Sequence, residues 1–344
     1  MRIAIVNDML MAREALRRAI AKIPDCTLAW IARDGAEAVQ RCTDDTPDLI
    51  LMDLLMPIMD GVAATRRIMS QTPCAILVVT ATVEGQATKV IEALGAGALD
   101  AVQTPVLELS GQLGLASTLE LKIEAIRPLT NRDRSHLGRF TGTLRQKPAP
   151  INPLVVIGAS AGGPAALATI LRDLPVNFLA PIIVVQHLDA QFAPSLASWL
   201  GGQSTLAVRI ACEGDQPRPG YVLIASTNDH LIFVDSKTLG YTREPRQTFY
   251  RPSVDVFFES VADLWRGDVV GILLTGMGKD GAKGLKTLRN SGAVTIAQGP
   301  ESCLVYGMPK AAVELDAAVE ILALKEIAPF LTNSLKSSSH GGYK

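Results

Sequence analysis

Through residues 1–126, short apolar runs alternate with stretches whose apolar residues recur every third or fourth position, the pattern of buried strands separated by amphipathic helices. Arg2–Val6, Leu28–Ala32, Leu49–Met52, Ala75–Val79 and Leu99–Val102 predict strands, and Ala12–Ile23, Ala36–Cys42, Val62–Met69, Thr88–Leu94 and Leu109–Ile126 predict helices. Pro24 stops the first of these helices. Five such units predict a doubly wound parallel sheet with its site at the C-terminal strand ends. Further on, apolar runs at Leu154–Ile157, Pro181–Val185, Tyr221–Ala225 and Val269–Leu274 run into Gly-rich or polar turns, so a second α/β domain is expected over 154–334. Between the two, residues 127–153 read as a linker carrying Arg127, Arg132, Arg134, Arg139, Arg145 and Lys147, and residues 335–344 as a disordered Ser/Gly tail.

Length supports the division. At 344 residues and 48% hydrophobic, the chain is too long for one ordinary core and long enough for two. Thirty-three basic against 34 acidic residues leave a net charge of −1, so no overall field draws the protein to nucleic acid or to an anionic membrane. A DNA-binding output is disfavoured for the same reason and for want of a helix-turn-helix pattern. The five cysteines show no Cys-x-x-Cys spacing, which suits a reducing compartment and core thiols and argues against zinc. With no apolar stretch long enough to span a bilayer, a cytoplasmic protein without membrane insertion is expected.

The chemistry of the second domain starts at Gly158-Ala159-Ser160-Ala161-Gly162-Gly163-Pro164. The spacing Gly158, Ser160, Gly162 fits a nucleophile elbow, in which small neighbours let a sharp turn lift a serine hydroxyl above the end of a sheet. The same turn can instead hold a phosphate on a helix N-terminus. A nucleophilic serine needs a base and a group to orient it. Of four histidines, His187 follows an apolar strand and so belongs on the rim with Ser160, whereas His230 lines the cleft, caps the backbone or sits buried and satisfied. Among Asp189, Asp229, Asp255 and Asp280, only Asp280 combines a buried preceding strand with a flexible Gly-rich loop; a plain helix N-cap is its alternative role. Backbone N–H groups around Met277 are oxyanion candidates.

In the first domain, Asp8 follows the first strand and Asp53 the third, so both carboxylates project into one crevice, as a pair able to hold Mg2+ or as two solvated loop acids. Asp53-Leu54-Leu55-Met56-Pro57, followed by Met59-Asp60-Gly61, resembles the phosphoacceptor loop of two-component receiver domains over about residues 1–125. That resemblance implies a flavodoxin-like receiver over 1–126, phosphorylated on Asp53 by a histidine kinase. It further implies Mg2+ bound by Asp8, Asp53 and the Leu55 carbonyl, and Thr80 as the hydroxyl that contacts the phosphoryl group. Asn7, Thr104 and Ala101 depart from the receiver pattern, standing where a second acid, a lysine and an aromatic switch residue are usual. Without the lysine, the phosphoryl group is less well anchored, another cation substitutes, or the switch works differently.

The order Ser160, His187, Asp280 is not that of ordinary α/β-hydrolases. The elbow, Val185-Gln186-His187, Arg251-Pro252-Ser253-Val254-Asp255 and Thr275-Gly276-Met277-Gly278-Lys279-Asp280-Gly281 together resemble the chemotaxis protein-glutamate methylesterase family. With Val6-Asn7-Asp8-Met9, the receiver departures resemble the branch serving alternative chemosensory pathways, such as surface sensing coupled to a diguanylate cyclase. The resemblance implies a Rossmann-like esterase domain with the triad Ser160, His187 and Asp280 and no cofactor of its own. Its substrates are glutamyl methyl esters, and glutamines to deamidate, on the cytoplasmic helices of methyl-accepting chemoreceptors. The free receiver is expected to cover the cleft and release it on phosphorylation. Two other readings make different demands: a nucleotide- or phosphate-binding second domain needs no His187, and a non-catalytic receptor-docking adaptor needs no Ser160.

Overall fold

The computed structural model describes residues 1–80, 86–107, 113–114, 116–130, 152–248 and 250–335. The chain divides into two compact units, Met1–His136 and Leu137–Lys344. Most of the expected linker, residues 109–112 and 115 of the expected Leu109–Ile126 helix, and nearly all of the expected tail lie outside the described residues; Leu113–Gly114 form a short strand where helix was expected, and the helix runs Ala116–Thr130.

In the first unit the elements run β1 (Arg2–Val6), α1 (Leu10–Ile20), β2 (Thr27–Ala32), α2 (Gly35–Asp44), β3 (Leu49–Met52), α3 (Gly61–Gln71), β4 (Ala75–Thr80), α4 (Ala87–Gly95) and β5 (Asp100–Gln103). A two-residue antiparallel pair, β6 (Val106–Leu107) and β7 (Leu113–Gly114), precedes α5 (Ala116–Thr130). The sheet is parallel in the order β2-β1-β3-β4-β5, with β1 and β3 fully buried beyond Arg2. Helix α1 occupies Leu10–Ile20 rather than the expected Ala12–Ile23. Its first residues, Leu10 and Met11, are apolar but exposed, and Ile23 is buried from the turn that follows, so the apolar spacing runs past the helix end.

In the second unit the elements run β8 (Leu154–Ala159), α6 (Gly163–Asp173), β9 (Ile182–Gln186), α7 (Ala193–Gly201), β10 (Ala207–Ile210), β11 (Tyr221–Ile224), β12 (His230–Phe233), β13 (Leu239–Thr242) and α8 (Val254–Leu264). They continue through β14 (Val269–Leu273), α9 (Ala282–Asn290), β15 (Val294–Gln298), α10 (Met308–Glu314), β16 (Glu320–Leu322) and α11 (Leu324–Ser334). Seven strands form a parallel sheet in the order β10-β11-β9-β8-β14-β15-β16, while β12 and β13 pair as a separate antiparallel hairpin. Because helices cover both faces of such a sheet, its central strands are continuous apolar runs. Every residue of β8 and β9 is buried. Strand β8 lies between β9 and β14, where the winding reverses, which places the crevice at the ends of these three strands.

Gly61 shows how closely the first unit packs around its own strand ends. A Cβ there would lie 1.9 Å from the Asp53 carbonyl oxygen, a backbone atom that no rotamer change can move. Gly61→Ala is expected to destabilise the first unit by about 3 kcal/mol or more, as overpacking against fixed backbone does. Urea unfolding followed by hydrogen exchange in β3 and α3 checks this; unchanged protection there would contradict the packing.

Candidate functional site

The turn from β8 into α6 places Ser160 at the C-terminal end of a central strand, where it is 7% exposed. Gly162 takes φ +77°, a left-handed conformation that favours glycine, and a Cβ there would meet the Leu304 side chain at 2.7 Å. The Ser160 N–H donates to the Thr275 carbonyl at 3.1 Å, and the Ser160 carbonyl accepts from the Gly163 N–H and the Gln186 side chain, each at 2.8 Å. Gln186 also reaches the His187 carbonyl at 3.1 Å, so one buried amide ties the ends of β8 and β9. The Thr275 hydroxyl, buried at the end of β14, donates to the Ala161 carbonyl at 2.9 Å and secures the elbow from the other side.

Across the strand ends, His187 Nε2 lies 2.7 Å from Asp280 Oδ2. Four donors converge on that carboxylate: His187, the Ser253 hydroxyl at 2.7 Å, the Val254 N–H at 2.7 Å and the Asp255 N–H at 3.1 Å. Burial pushes the Asp280 carboxyl up, but the His187 hydrogen bond and charge, with Ser253 and Val254, outweigh it and hold the group below its ordinary range. An ionised Asp280 accepts a hydrogen bond from Nε2–H, which in the neutral ring leaves His187 Nδ1 as the lone-pair nitrogen. Nδ1 is buried and has no hydrogen-bond partner among the described residues. The imidazole stacks on Tyr250, ring centroids 4.1 Å apart and 3° from parallel.

Other sequence candidates occupy different places. Asp189 caps a single turn by accepting from the Gln191 N–H, and Asp229 faces Arg243 at 3.7 Å. Asp255 accepts from the Gly284 N–H at 2.7 Å; burial raises its carboxyl to about 6. His230 is fully buried, with Nδ1 accepting from the Ser253 N–H at 3.0 Å and Nε2 3.2 Å from the Pro245 carbonyl. Burial lowers its affinity for a second proton, opposed by the bond to Pro245. It is a satisfied core histidine rather than a cleft-lining one. Met277 is buried in the loop after β14, next to Gly276, whose N–H donates to the Val305 carbonyl. A cavity of about 670 Å3 adjoins the site on the Asp280 side, lined by Tyr250, Ser253, Asp255, Glu259, Lys279 and Lys283 among others. Asp280 lines it, whereas Ser160 and His187 are not among its lining residues.

The first unit's strand ends gather a second set. Asp53, 8% exposed, accepts from the Leu54 N–H at 2.7 Å and from Asn7 Nδ2 at 2.9 Å, while Asn7 Oδ1 accepts from the Met9 N–H at 2.8 Å. Burial pushes the Asp53 carboxyl up to about 6, against the Leu54 and Leu55 N–H groups, and the charge of Asp8 adds to the rise. Asp8 itself is exposed. The Thr80 hydroxyl is buried and donates to Gln86 Oε1 at 2.7 Å. Thr104 and Ala101 are buried, the Thr104 N–H donating to the Thr80 carbonyl at 2.8 Å. Lys89 pairs with Asp60 at 3.0 Å, and Arg13 donates to the Asn7 carbonyl at 3.3 Å. No group of three or more His, Cys, Asp or Glu side chains able to hold a metal ion occurs among the described residues. The candidate set of Asp8, Asp53 and the Leu55 carbonyl is smaller and all oxygen, and burial raises one of its carboxyls to about 6. That chemistry fits a hard cation that keeps several waters, as Mg2+ does.

The CheB methylesterase family model matches residues 155–331, just over half of the chain, and so spans the elbow, His187 and Asp280. The chain belongs to the CheB methylesterase family. Ahead of its CheB domain, the response regulator receiver domain model matches residues 3–109. A protein-glutamate methylesterase/protein-glutamine glutaminase 3 of Pseudomonas aeruginosa is 54% identical over 331 residues, 96% of this chain and 98% of that protein. A relative from the group 3 operon of Pseudomonas putida is 53% identical with the same coverage, and one numbered 1 from Burkholderia lata is 54% identical over 95% of this chain and 97% of its own. Among solved structures, the Thermotoga maritima CheB methylesterase catalytic domain aligns with TM-score 0.50 and 38% identity, covering 52% of this chain and 97% of that domain.

Thus the CheB chain brings His187 and Asp280 together at the strand ends with the Ser160 elbow, and Asp53 beside Asn7 in the receiver. Ser253, Tyr250, Gln186 and Thr275 stand around the catalytic candidates without having been singled out for a role. The loop after β14 distinguishes Asp280 from the three competing acids, and Ser253, which bonds it at 2.7 Å, lies in the Arg251–Asp255 motif without a role that its neighbours specify.

Asp53 binds its proton more tightly in the folded receiver than in the unfolded chain. Folding therefore becomes less favourable as pH rises from about 4 to about 6, and the loss stays constant above that. Asp53→Asn is expected to remove this dependence and to stabilise the receiver at pH 7 by up to about 3 kcal/mol. Urea denaturation of both proteins at pH 4.5 and pH 7 checks the sign; an equally large gain at the two pH values would contradict it.

Proposed function

We propose that this chain is a receiver-regulated protein-glutamate methylesterase that also deamidates glutamine, with Ser160 as nucleophile, His187 as general base and Asp280 as the group that orients the base. The observation that carries the reading is the state of His187: one ring nitrogen held on an ionised carboxylate at 2.7 Å, the other buried and without a hydrogen-bond partner among the described residues, while the His187 N–H donates at 2.9 Å to the Ala159 carbonyl next to Ser160. In this scheme Ser160 Oγ attacks the side-chain carbonyl and passes its proton to Nδ1, while Asp280 stabilises the imidazolium that forms. His187 returns the proton to the departing methoxide or amide nitrogen, releasing methanol or ammonia. Water then attacks the acyl-serine by the same route and leaves a glutamate. The Met277 N–H group is the proposed oxyanion donor.

The partners that suit this chemistry are a histidine kinase for the receiver and the cytoplasmic helices of a methyl-accepting chemoreceptor for the esterase. No helix among the described residues is long and apolar enough to cross a membrane, and a cytoplasmic setting suits both partners. In the receiver, Asp8, Asp53 and the Leu55 carbonyl would hold Mg2+, which supplies positive charge to a phosphoryl group on Asp53. Asn7 holds the Asp53 carboxylate in place, and Thr80 is the proposed phosphoryl contact, once its hydroxyl leaves Gln86. Phosphorylation then shifts the population toward an open esterase cleft. Numbered relatives match a protein serving one of several parallel chemosensory systems.

Methanol release from a methylated receptor fragment tests the scheme. Ser160→Ala and His187→Gln are each expected to lower kcat by about 10⁴-fold or more, as loss of a triad member does. A small phosphodonor with Mg2+ is expected to raise release by the wild type and not by Asp53→Asn. Full receptor control by Ser160→Ala would move the reading to a docking adaptor.

A further inference from the structure

We propose that His230 is a positioning residue for Asp280, acting through Ser253; the inference rests on the triad reading above. His230 opens β12 and does not touch Ser160, His187 or Asp280 through any hydrogen bond. Its two ring nitrogens have different obligations. A backbone N–H can only donate, so the Ser253 N–H at 3.0 Å requires an unprotonated Nδ1. The ring proton then sits on Nε2, facing the Pro245 carbonyl at 3.2 Å and the Thr248 hydroxyl at 3.0 Å. His230 is thereby held as the neutral Nε2–H tautomer.

What it holds is the start of α8. Ser253, 2% exposed, caps that helix, its hydroxyl accepting from the Val256 N–H at 3.3 Å while donating to Asp280 Oδ1 at 2.7 Å. Val254 and Asp255 supply two more donors to the same carboxylate. Three of the four groups that fix Asp280 therefore come from consecutive residues, and His230 accepts the first N–H of that segment. Without this acceptor the Ser253 N–H is a buried orphan, and the segment shifts to find a partner. A displacement of Asp280 disturbs the bond that fixes the His187 ring. The docking of β12 on α8 does not depend on this bond. The Phe233 N–H donates separately to the Ser260 hydroxyl at 3.1 Å, and Phe233 packs against Phe257 and Trp265. The hairpin therefore has contacts to α8 that do not involve the histidine.

The test compares His230→Asn, whose amide oxygen falls near the Nδ1 position, with His230→Gln, whose amide falls near Nε2, in the full-length chain. His230→Gln is expected to lower kcat for methanol release by about 10- to 100-fold with KM unchanged, the scale of a misplaced catalytic group. His230→Asn is expected to recover most of that loss. Ser253→Ala should lower kcat in the same way, and the double variant His230→Gln/Ser253→Ala should fall no further than the lower of the two singles. Additive losses, a change in KM alone, or unchanged kcat in a folded His230→Gln protein would overturn the proposal. Should His230→Gln not fold, ¹⁵N-imidazole NMR of the wild type decides: a neutral Nε2–H tautomer at pH 7 supports the role, and Nδ1–H or imidazolium defeats it. Ser160→Ala separates the two readings. Release that survives it removes the triad itself, whereas release abolished by it but indifferent to His230 and Ser253 removes only the positioning role.

Discussion

The buried charge of Asp280 is the constraint around which the second unit is arranged. A carboxylate withdrawn from water stays ionised only where other donors replace its hydration. Here the replacements come from two directions, the imidazole at the end of β9 and the first turn of α8. Meeting that demand decides several other features at once. It brings the loop after β14 beneath His187, fixes which ring nitrogen carries a proton, and pins α8 against the strand ends. Ser160 enters from the central strand between these two, so the elbow needs only a short turn to share their rim.

Asp53 presents the opposite solution to the same problem. Both aspartates follow buried parallel strands and both lose solvation, yet burial wins at Asp53 and loses at Asp280. The difference lies in the donors. Asp280 faces a histidine, a hydroxyl and two amides, whereas Asp53 faces neutral amides and has Asp8 close by. An orienting group in a triad must hold its charge permanently. A phosphoacceptor is spent and restored, and a pocket short of positive charge leaves room for ions and phosphate to supply what the protein withholds. Asn7, a neutral amide where receivers usually carry an acid, sharpens this: it steadies the Asp53 carboxylate without adding a further negative charge.

What could be read from the chain follows from how each feature is encoded. The central strands β8, β9 and β14 stood out because a parallel strand covered on both faces is nearly continuously apolar, with Gln186 at the end of β9 the one polar residue among them. Ser160 was visible because the turn that displays it requires small residues at fixed offsets, and Asp53 because its loop has a recognisable order. The limits of α1 were less visible, since exposed Leu10 and Met11 and buried Ile23 blur a pattern that assumes apolar means inward. Ser253, Tyr250 and Gln186 act through contacts made by the fold, and nothing in their immediate neighbours announces a partner far along the chain. His230 shows the same limit from the other side: its residue type suggested chemistry, and only the Ser253 amide on Nδ1 reveals what the ring accepts.

The two sites also differ in how far apart their parts lie along the chain. Asn7 and Asp53 are 46 residues apart, His187 and Asp280 are 93, and the Thr275 hydroxyl reaches back 114 residues to the elbow. Contacts of that span form late, because loop closure must be achieved before they add any stability. During synthesis the receiver's strands emerge and pair first. The esterase elbow, by contrast, is made long before the β14 loop that completes its site. In the proposed scheme a growing chain therefore passes through a period in which the receiver's segments have been made while Ser160 and His187 still lack Asp280. In that interval the proposed triad is incomplete.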